Sequence, residues 1–170
     1  TLSPGLVNFN VKVTTSNDGA YRGNTSYNVS ANIGGTIVSG VGTVTDENDR
    51  PKISISSASA REGDNLVFYV YLDKNTLIDT VMPYRLEHIT TSSADIGDET
   101  FTKGVMYDVS TGNITVPKGV RAFEVIIPTV SDTDKESLET LRIFIDGTIG
   151  IGNIASVIED ENDENIDGDS

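Results

Sequence analysis

The sequence predicts an all-β fold: a β-sandwich, built as tandem modules. Two patterns carry that prediction. Short runs of alternating apolar residues recur between turn residues, and no long stretch has the helical period. The string Asp-Glu-Asn-Asp also occurs twice, at 46–49 and 160–163, 114 residues apart. Each copy closes a strand-like run, Val41–Thr45 and Ala155–Glu159. The same offset holds back to the start of the sequence. Gly5 matches Gly119, Phe9 matches Phe123, and Val11 and Val13 match Val125 and Ile127. Thr15 matches Thr129, and Asp18 matches Asp132.

In chain order the predicted strands are Val7–Thr14, Ser26–Ile33, Thr36–Thr45, Lys52–Ser57, Leu66–Leu72, Met82–Ile89, Asn113–Val116, Ala122–Thr129, Thr140–Ile145 and Ala155–Glu159. Phe123, Val125 and Ile127 alternate with Glu124, and Leu141, Ile143 and Ile145 with Arg142. A period of two buries one face of a strand and wets the other. The β-branched content of these runs agrees. Thr133–Leu138 is the one short helix candidate, and it reads better as a loop. Gly119, Gly147, Gly150 and Gly152 mark turns or bulges. Strands this short, with a turn about every 8–12 residues, predict a sandwich of about seven strands.

The repeat divides the chain. Residues 1–49 match only the second half of the unit, 50–163 make one complete module, and 164–170 read as an acidic linker stub. Arg50-Pro51 reads as an extended joint between modules. A unit of this length can bury its own core. A half-unit leaves a sheet face and an edge uncovered.

The 26 acidic residues outnumber the 12 lysines and arginines, for a net charge of −14. That balance argues against nucleic-acid and anionic-membrane binding, which need basic patches. The absence of cysteine excludes disulfides, thiolate chemistry and cysteine zinc sites. No apolar run is long enough to span a bilayer. Solubility alone does not require acids gathered at module ends, so cation binding is the sharper reading of the charge.

Several pieces in order carry a resemblance. Arg61-Glu62-Gly63-Asp64 precedes a strand, and Ala94-Asp95-Ile96-Gly97-Asp98 leads to Phe101. Gly112–Gly119 precedes another strand, followed by Ser131-Asp132-Thr133-Asp134-Lys135-Glu136-Ser137-Leu138-Glu139-Thr140 and then by Asp160–Asp163. This order resembles the Calx-beta domain, over about residues 52–163 in full and over 1–49 for the second half alone. The resemblance implies a seven-stranded, immunoglobulin-like antiparallel sandwich with Ca²⁺ at one tip. The ligands it implies are Glu62; Asp98, with Asp95 as the alternative; Asp132 and Asp134; Glu136 or Glu139; and Asp160, Asn162 and Asp163. Ca²⁺ takes six to eight oxygens at about 2.3–2.6 Å, which carboxylates on separate loops supply. The first half-unit departs from the pattern. Asp18 keeps the place of Asp132, but Ala20, Arg22 and Thr25 replace Asp134, Glu136 and Glu139. Asp18 and Asp46 are the remnant, and this half-unit is expected to hold fewer ions or none.

Other chemistry is poorly supported. His88, the one histidine, ends a strand and reads as a surface or edge residue. Ser92, Ser93 and Asp95 lack a histidine partner and a nucleophile elbow, so a catalytic triad is not expected. The expectation is a non-enzyme.

Two functions compete. One is a Ca²⁺-stiffened extender module, similar to the repeats of large secreted bacterial adhesins. Its partners are neighbouring modules of the same chain, and other domains meet the cell surface or carbohydrate. The other is a ligand-binding module, or a split scaffold carrying an inserted binding domain. Tyr21, Tyr84 and Tyr107 are the aromatic candidates for such a surface. A third reading, a calcium sensor, would require micromolar rather than roughly 10⁻⁴–10⁻³ M affinity.

Overall fold

The computed structural model describes residues 4–5 and 8–156. Twelve strands and one short 3₁₀ turn make up the regular structure among them. β1 (Thr25–Ile33) and β2 (Thr36–Val44) form an antiparallel hairpin, followed by the 3₁₀ turn Glu47–Asp49. The rest is a two-sheet sandwich. One sheet holds β3 (Ile53–Ile55), β5 (Asn65–Leu72), β10 (Ala122–Pro128) and β7 (Thr100–Phe101), in that order. The second runs β4 (Ala58–Arg61), β12 (Thr148–Ala155), β11 (Glu139–Ile145), β6 (Thr80–His88), β9 (Asn113–Val116) and β8 (Met106–Asp108). Every strand pairing is antiparallel except β4 with β12.

Alternation in the sequence becomes the core. Leu66, Phe68, Val70 and Leu72 on β5 meet Phe123, Val125 and Ile127 on β10 in one sheet. Leu141, Ile143 and Ile145 of β11 close on them from the other, with Met82, Ile114 and Ile154. All are buried. Removing this much apolar surface from water is the principal stabilising term, at about 25 cal/mol per Å².

The structure corrects three sequence expectations. Gly150 and Gly152 lie inside β12, opposite Ile143 and Leu141, rather than at turns. Phe68 needs the room: a Cβ on Gly152 would lie 2.8 Å from its Cζ, and one on Gly150 would lie 2.5 Å from Ile55. A strand the sequence did not predict, β12, runs from Thr148 to Ala155 after an Asp146-Gly147 turn with both residues at positive φ; of the predicted strand Ala155–Glu159, residues 157–159 lie outside the described residues. The third correction concerns Val7–Thr14. Residues 8–14 form no strand, and Phe9, Val11 and Val13 are 44%, 58% and 47% exposed. Their matches Phe123, Val125 and Ile127 are 3%, 0% and 0% exposed. The same alternation needs a β5 to pair with, because an unpaired ladder leaves its backbone groups to water.

β4, β7 and β8 are too short for periodicity to have marked them. Arg50-Pro51 is not a free linker: Pro51 is buried, and Arg50 donates to Val81 O and Asp146 Oδ1, both at 3.2 Å.

β5 and β10 place Asn65 and Pro128 at one end of the sandwich, and Tyr71 and Ala122 at the other. The first end gathers Glu62, the 88–97 loop and the 129–139 loop. The second receives residues 18–50.

Candidate metal centre

The tip is assembled by backbone. β4 runs into a turn at Glu62-Gly63, with Gly63 at φ +88 where a side chain would be strained. Glu62 N donates to Ala155 O at 3.0 Å. Thr129 ties the next loop down: its N donates to Asp64 O, and its Oγ1 contacts Arg61 O and Asp64 O. Ile96 bridges to Thr129, and Val130 N donates to Asp95 O at 2.8 Å. Asp95 also accepts from Ser92 N, which closes its own turn. Glu139 opens β11 opposite Ile154, and the amides of Ile89 and Thr90 donate to the adjacent Thr140 O.

These constraints bring three carboxylates together. Asp95, Glu136 and Glu139 each offer an oxygen, all within 4.8 Å of one another. Glu62 is outside that group of three but near enough for its charge to act on Glu136 and Glu139. It is 7% exposed, and its Oε2 is buried without a hydrogen-bond partner, as is Glu139 Oε2. A buried carboxylate oxygen without a donor is costly. Burial first, then Asp132, Asp95, Glu62 and Asp134, pushes the Glu136 carboxyl above its ordinary range. Burial first, then Asp95, Glu136, Glu62 and Asp132, does the same to Glu139. Like charges disfavour the ionised form, and a divalent cation reverses that preference. The donors are all hard oxygens from three loops, the set that fits Ca²⁺.

The sequence-predicted residues separate accordingly. Glu62, Asp132, Asp134 and Glu139 lie at the tip, where Asp134 N donates to Asp132 Oδ1 at 2.8 Å. Both Glu136 and Glu139, offered as alternatives by the sequence, belong to it. In the loop before β7 it is Asp95 that joins the cluster; Asp98 is exposed and outside it. Asp160, Asn162 and Asp163 lie outside the described residues. Asp18 and Asp46 are at the opposite end. Asp18 pairs with the Arg22 guanidinium, and Asp46 Oδ2 accepts from Arg22 N at 2.6 Å. His88 is exposed and meets Thr91 Oγ1 at 2.8 Å.

The aromatic candidates are not open surfaces. Tyr21 and Tyr84 are buried, and Tyr107 packs edge-on against Tyr84. The exposed pair is Tyr69 and Tyr71, which sequence reading passed over. They lie two apart on β5, so they share the outer face of the four-stranded sheet. Their spacing within an alternating strand was the available signal.

No protein-family model matches the chain, and no curated protein matches it. Solved structures resemble it faintly. Domains 4 and 5 of the S-layer protein SbsC align at 13% identity and TM-score 0.37, covering 71% of this chain and 59% of that one. The chain thus spans about three-fifths of that segment. CaCohA2 from Clostridium acetobutylicum aligns at 16% identity and TM-score 0.35, covering 63% of this chain and 90% of that one. The cohesin–dockerin complex Coh-OlpA-Doc918 from Clostridium thermocellum aligns at 12% and 0.29, covering 64% and 99%. At these values the likenesses carry no functional argument.

Proposed function

We propose that this chain is a calcium-binding, Calx-beta-like structural module of a repetitive extracellular bacterial surface protein, and not an enzyme. The observation that carries the reading is Glu62: a buried carboxylate with an unpartnered oxygen, beside the cluster of Asp95, Glu136 and Glu139 whose glutamates its charge reaches. Ca²⁺ supplies the missing positive charge when bound. Glu62, Asp95, Glu136 and Glu139 would hold it, with Asp132 and Asp134 beside them. The repeat then gives the metal its mechanical role. An ion that ties three loops at the end of one module removes freedom at the junction with the next and extends the array.

Calorimetric titration with Ca²⁺, paired with thermal melts in Ca²⁺ and in chelator, tests the reading. Binding in the high-micromolar to millimolar range with a raised melting temperature supports it. Low-micromolar affinity favours a sensor instead, and the absence of both binding and a shift rejects the metal altogether.

One observation favours a ligand-binding module as a second reading. A trough of about 400 Å³ lies over Ala122 on the outer sheet face, walled by Tyr69, Tyr71, Thr102, Lys103 and Glu124. Flat aromatic rings beside polar groups suit a sugar ring, which has an apolar face and hydroxyl edges. NMR titration with simple saccharides, repeated on Tyr71→Ala, distinguishes this reading. Shifts confined to β5 and β10 that vanish in the variant support it.

A further inference from the structure

Residues 18–50 dock on the end of the sandwich opposite the acidic tip. Tyr21 is the plug, 7% exposed. Its N donates to Asn75 O at 2.9 Å and its O accepts from Leu77 N at 2.7 Å, forming a parallel bridge at Thr76. Arg50 stands 5.9 Å from the centre of its ring. Three acids near this contact are paired with cations of the chain itself. Arg22 pairs with Asp18, Lys74 Nζ lies 3.0 Å from the buried Asp49, and Arg50 lies 3.2 Å from Asp146. Lys74 also donates to Asn48 O at 2.8 Å.

The 114-residue repeat makes the comparison internal. Tyr21 and Arg22 occupy the places of Lys135 and Glu136, and Asp18 and Asp46 those of Asp132 and Asp160. Where the complete module has a glutamate that tightens a cluster of acids, the half-unit has a guanidinium that neutralises one. A polar hollow of about 190 Å³ remains there, lined by Thr15, Asn17, Asp18, Arg22, Asp46 and Asp49 among others.

We propose that this joint is a metal-independent lock between successive units. Tyr21 docks on the Asn75–Leu77 edge, and Arg22, Lys74 and Arg50 do the charge balancing that Ca²⁺ does at the other tip. The contrast with the tip rests on the calcium reading above; the lock itself does not. An array of such units then carries two kinds of junction: one that stays closed as Ca²⁺ falls, and one that loosens. The Arg22–Asp18 pair is half-exposed, so it contributes little energy by itself and acts chiefly by excluding a second cation.

Hydrogen exchange on the whole chain, in Ca²⁺ and in chelator, tests the lock. The amides of Tyr21 and Leu77 are expected to change by less than about threefold on chelation. In Tyr21→Ala, Leu77 is expected to lose at least about tenfold of its protection. Acceleration of both wild-type amides by chelator to the Tyr21→Ala rate overturns the proposal. Arg22→Glu restores the acid found at Glu136 and is expected to add one Ca²⁺ to the calorimetric count, a gain abolished by adding Asp18→Asn. No gain, with Tyr21 still protected, overturns the counter-ion role. A wild type that binds no Ca²⁺ but keeps both amides protected rejects the calcium reading and leaves the lock standing.

Discussion

Glu62→Gln separates a metal ligand from an ordinary buried acid, because it is expected to act in opposite directions with and without Ca²⁺. The side chain is 7% exposed, and its Oε2 has no donor. Its charge acts on Glu136 and Glu139, whose carboxyls burial and neighbouring acids push upward. Glutamine keeps the shape and removes the charge. A buried unpaired amide still costs roughly 1–3 kcal/mol, but an unpaired carboxylate costs more. The variant is therefore expected to be more stable in chelator by about 1 kcal/mol. For a domain of this size that is roughly 4–6 °C in melting temperature. In Ca²⁺ the expectation reverses. At a hundred times the dissociation constant, binding stabilises the wild type by about 2.7 kcal/mol, or roughly 10–15 °C. The variant should lose most of that increment. Melts followed by far-ultraviolet circular dichroism, with calorimetry on the same samples, read both arms. A variant destabilised in chelator that keeps the full calcium increment would refute the reasoning, since Glu62 would then be a structural acid with a partner.

Three further outcomes are expected. In chelator, the melting temperature should rise as pH falls from 7 toward about 4.5, the ordinary glutamate value. The folded state binds protons more readily than the unfolded one through the raised Glu136 and Glu139 carboxyls, so stability grows as pH drops through them and levels off below 4.5. Glu87, held low by Arg142 and Arg85, and Asp108, held low by Ser110, lose their contributions only below that window. In Ca²⁺ the increment should shrink over the same range, because protons compete for the same oxygens; a calcium increment independent of pH would contradict this. Asp95→Asn should weaken Ca²⁺ binding by about tenfold or more, while Asp98→Asn should leave it unchanged, as titration of the pair will show. Gly152→Ala should cost about 1–3 kcal/mol in urea unfolding, because its Cβ would lie 2.8 Å from Phe68 Cζ. Gly40→Ala on the exposed β2, with nothing within 4 Å, is the matched control and should cost nothing.

The alternation of Phe123, Val125 and Ile127, and of Leu141, Ile143 and Ile145, determined the core strands, because burial of one sheet face is written locally at a period of two. The same local rule misled at Phe9, Val11 and Val13, where the pattern is present and the partner strand is not. The strand Thr148–Ala155 was not legible in the sequence. Gly150 and Gly152 carry no apolar signal of their own; their place is set by Phe68 across the sandwich. The acids of the tip were legible as a group, since loops of a sandwich converge at its ends. Which of them meet was not. Asp95 and Asp98 are three residues apart in one loop, pinned by the Ile96–Thr129 bridge and by Val130 N on Asp95 O; the first joins Glu136 and the second is exposed. The joint shows the same division. The sequence by itself determined that Arg22 stands where the repeat has Glu136. The tertiary structure decided what that substitution does, because Asn75, Thr76 and Lys74, which receive Tyr21 and Asp49, lie more than twenty residues further along the chain.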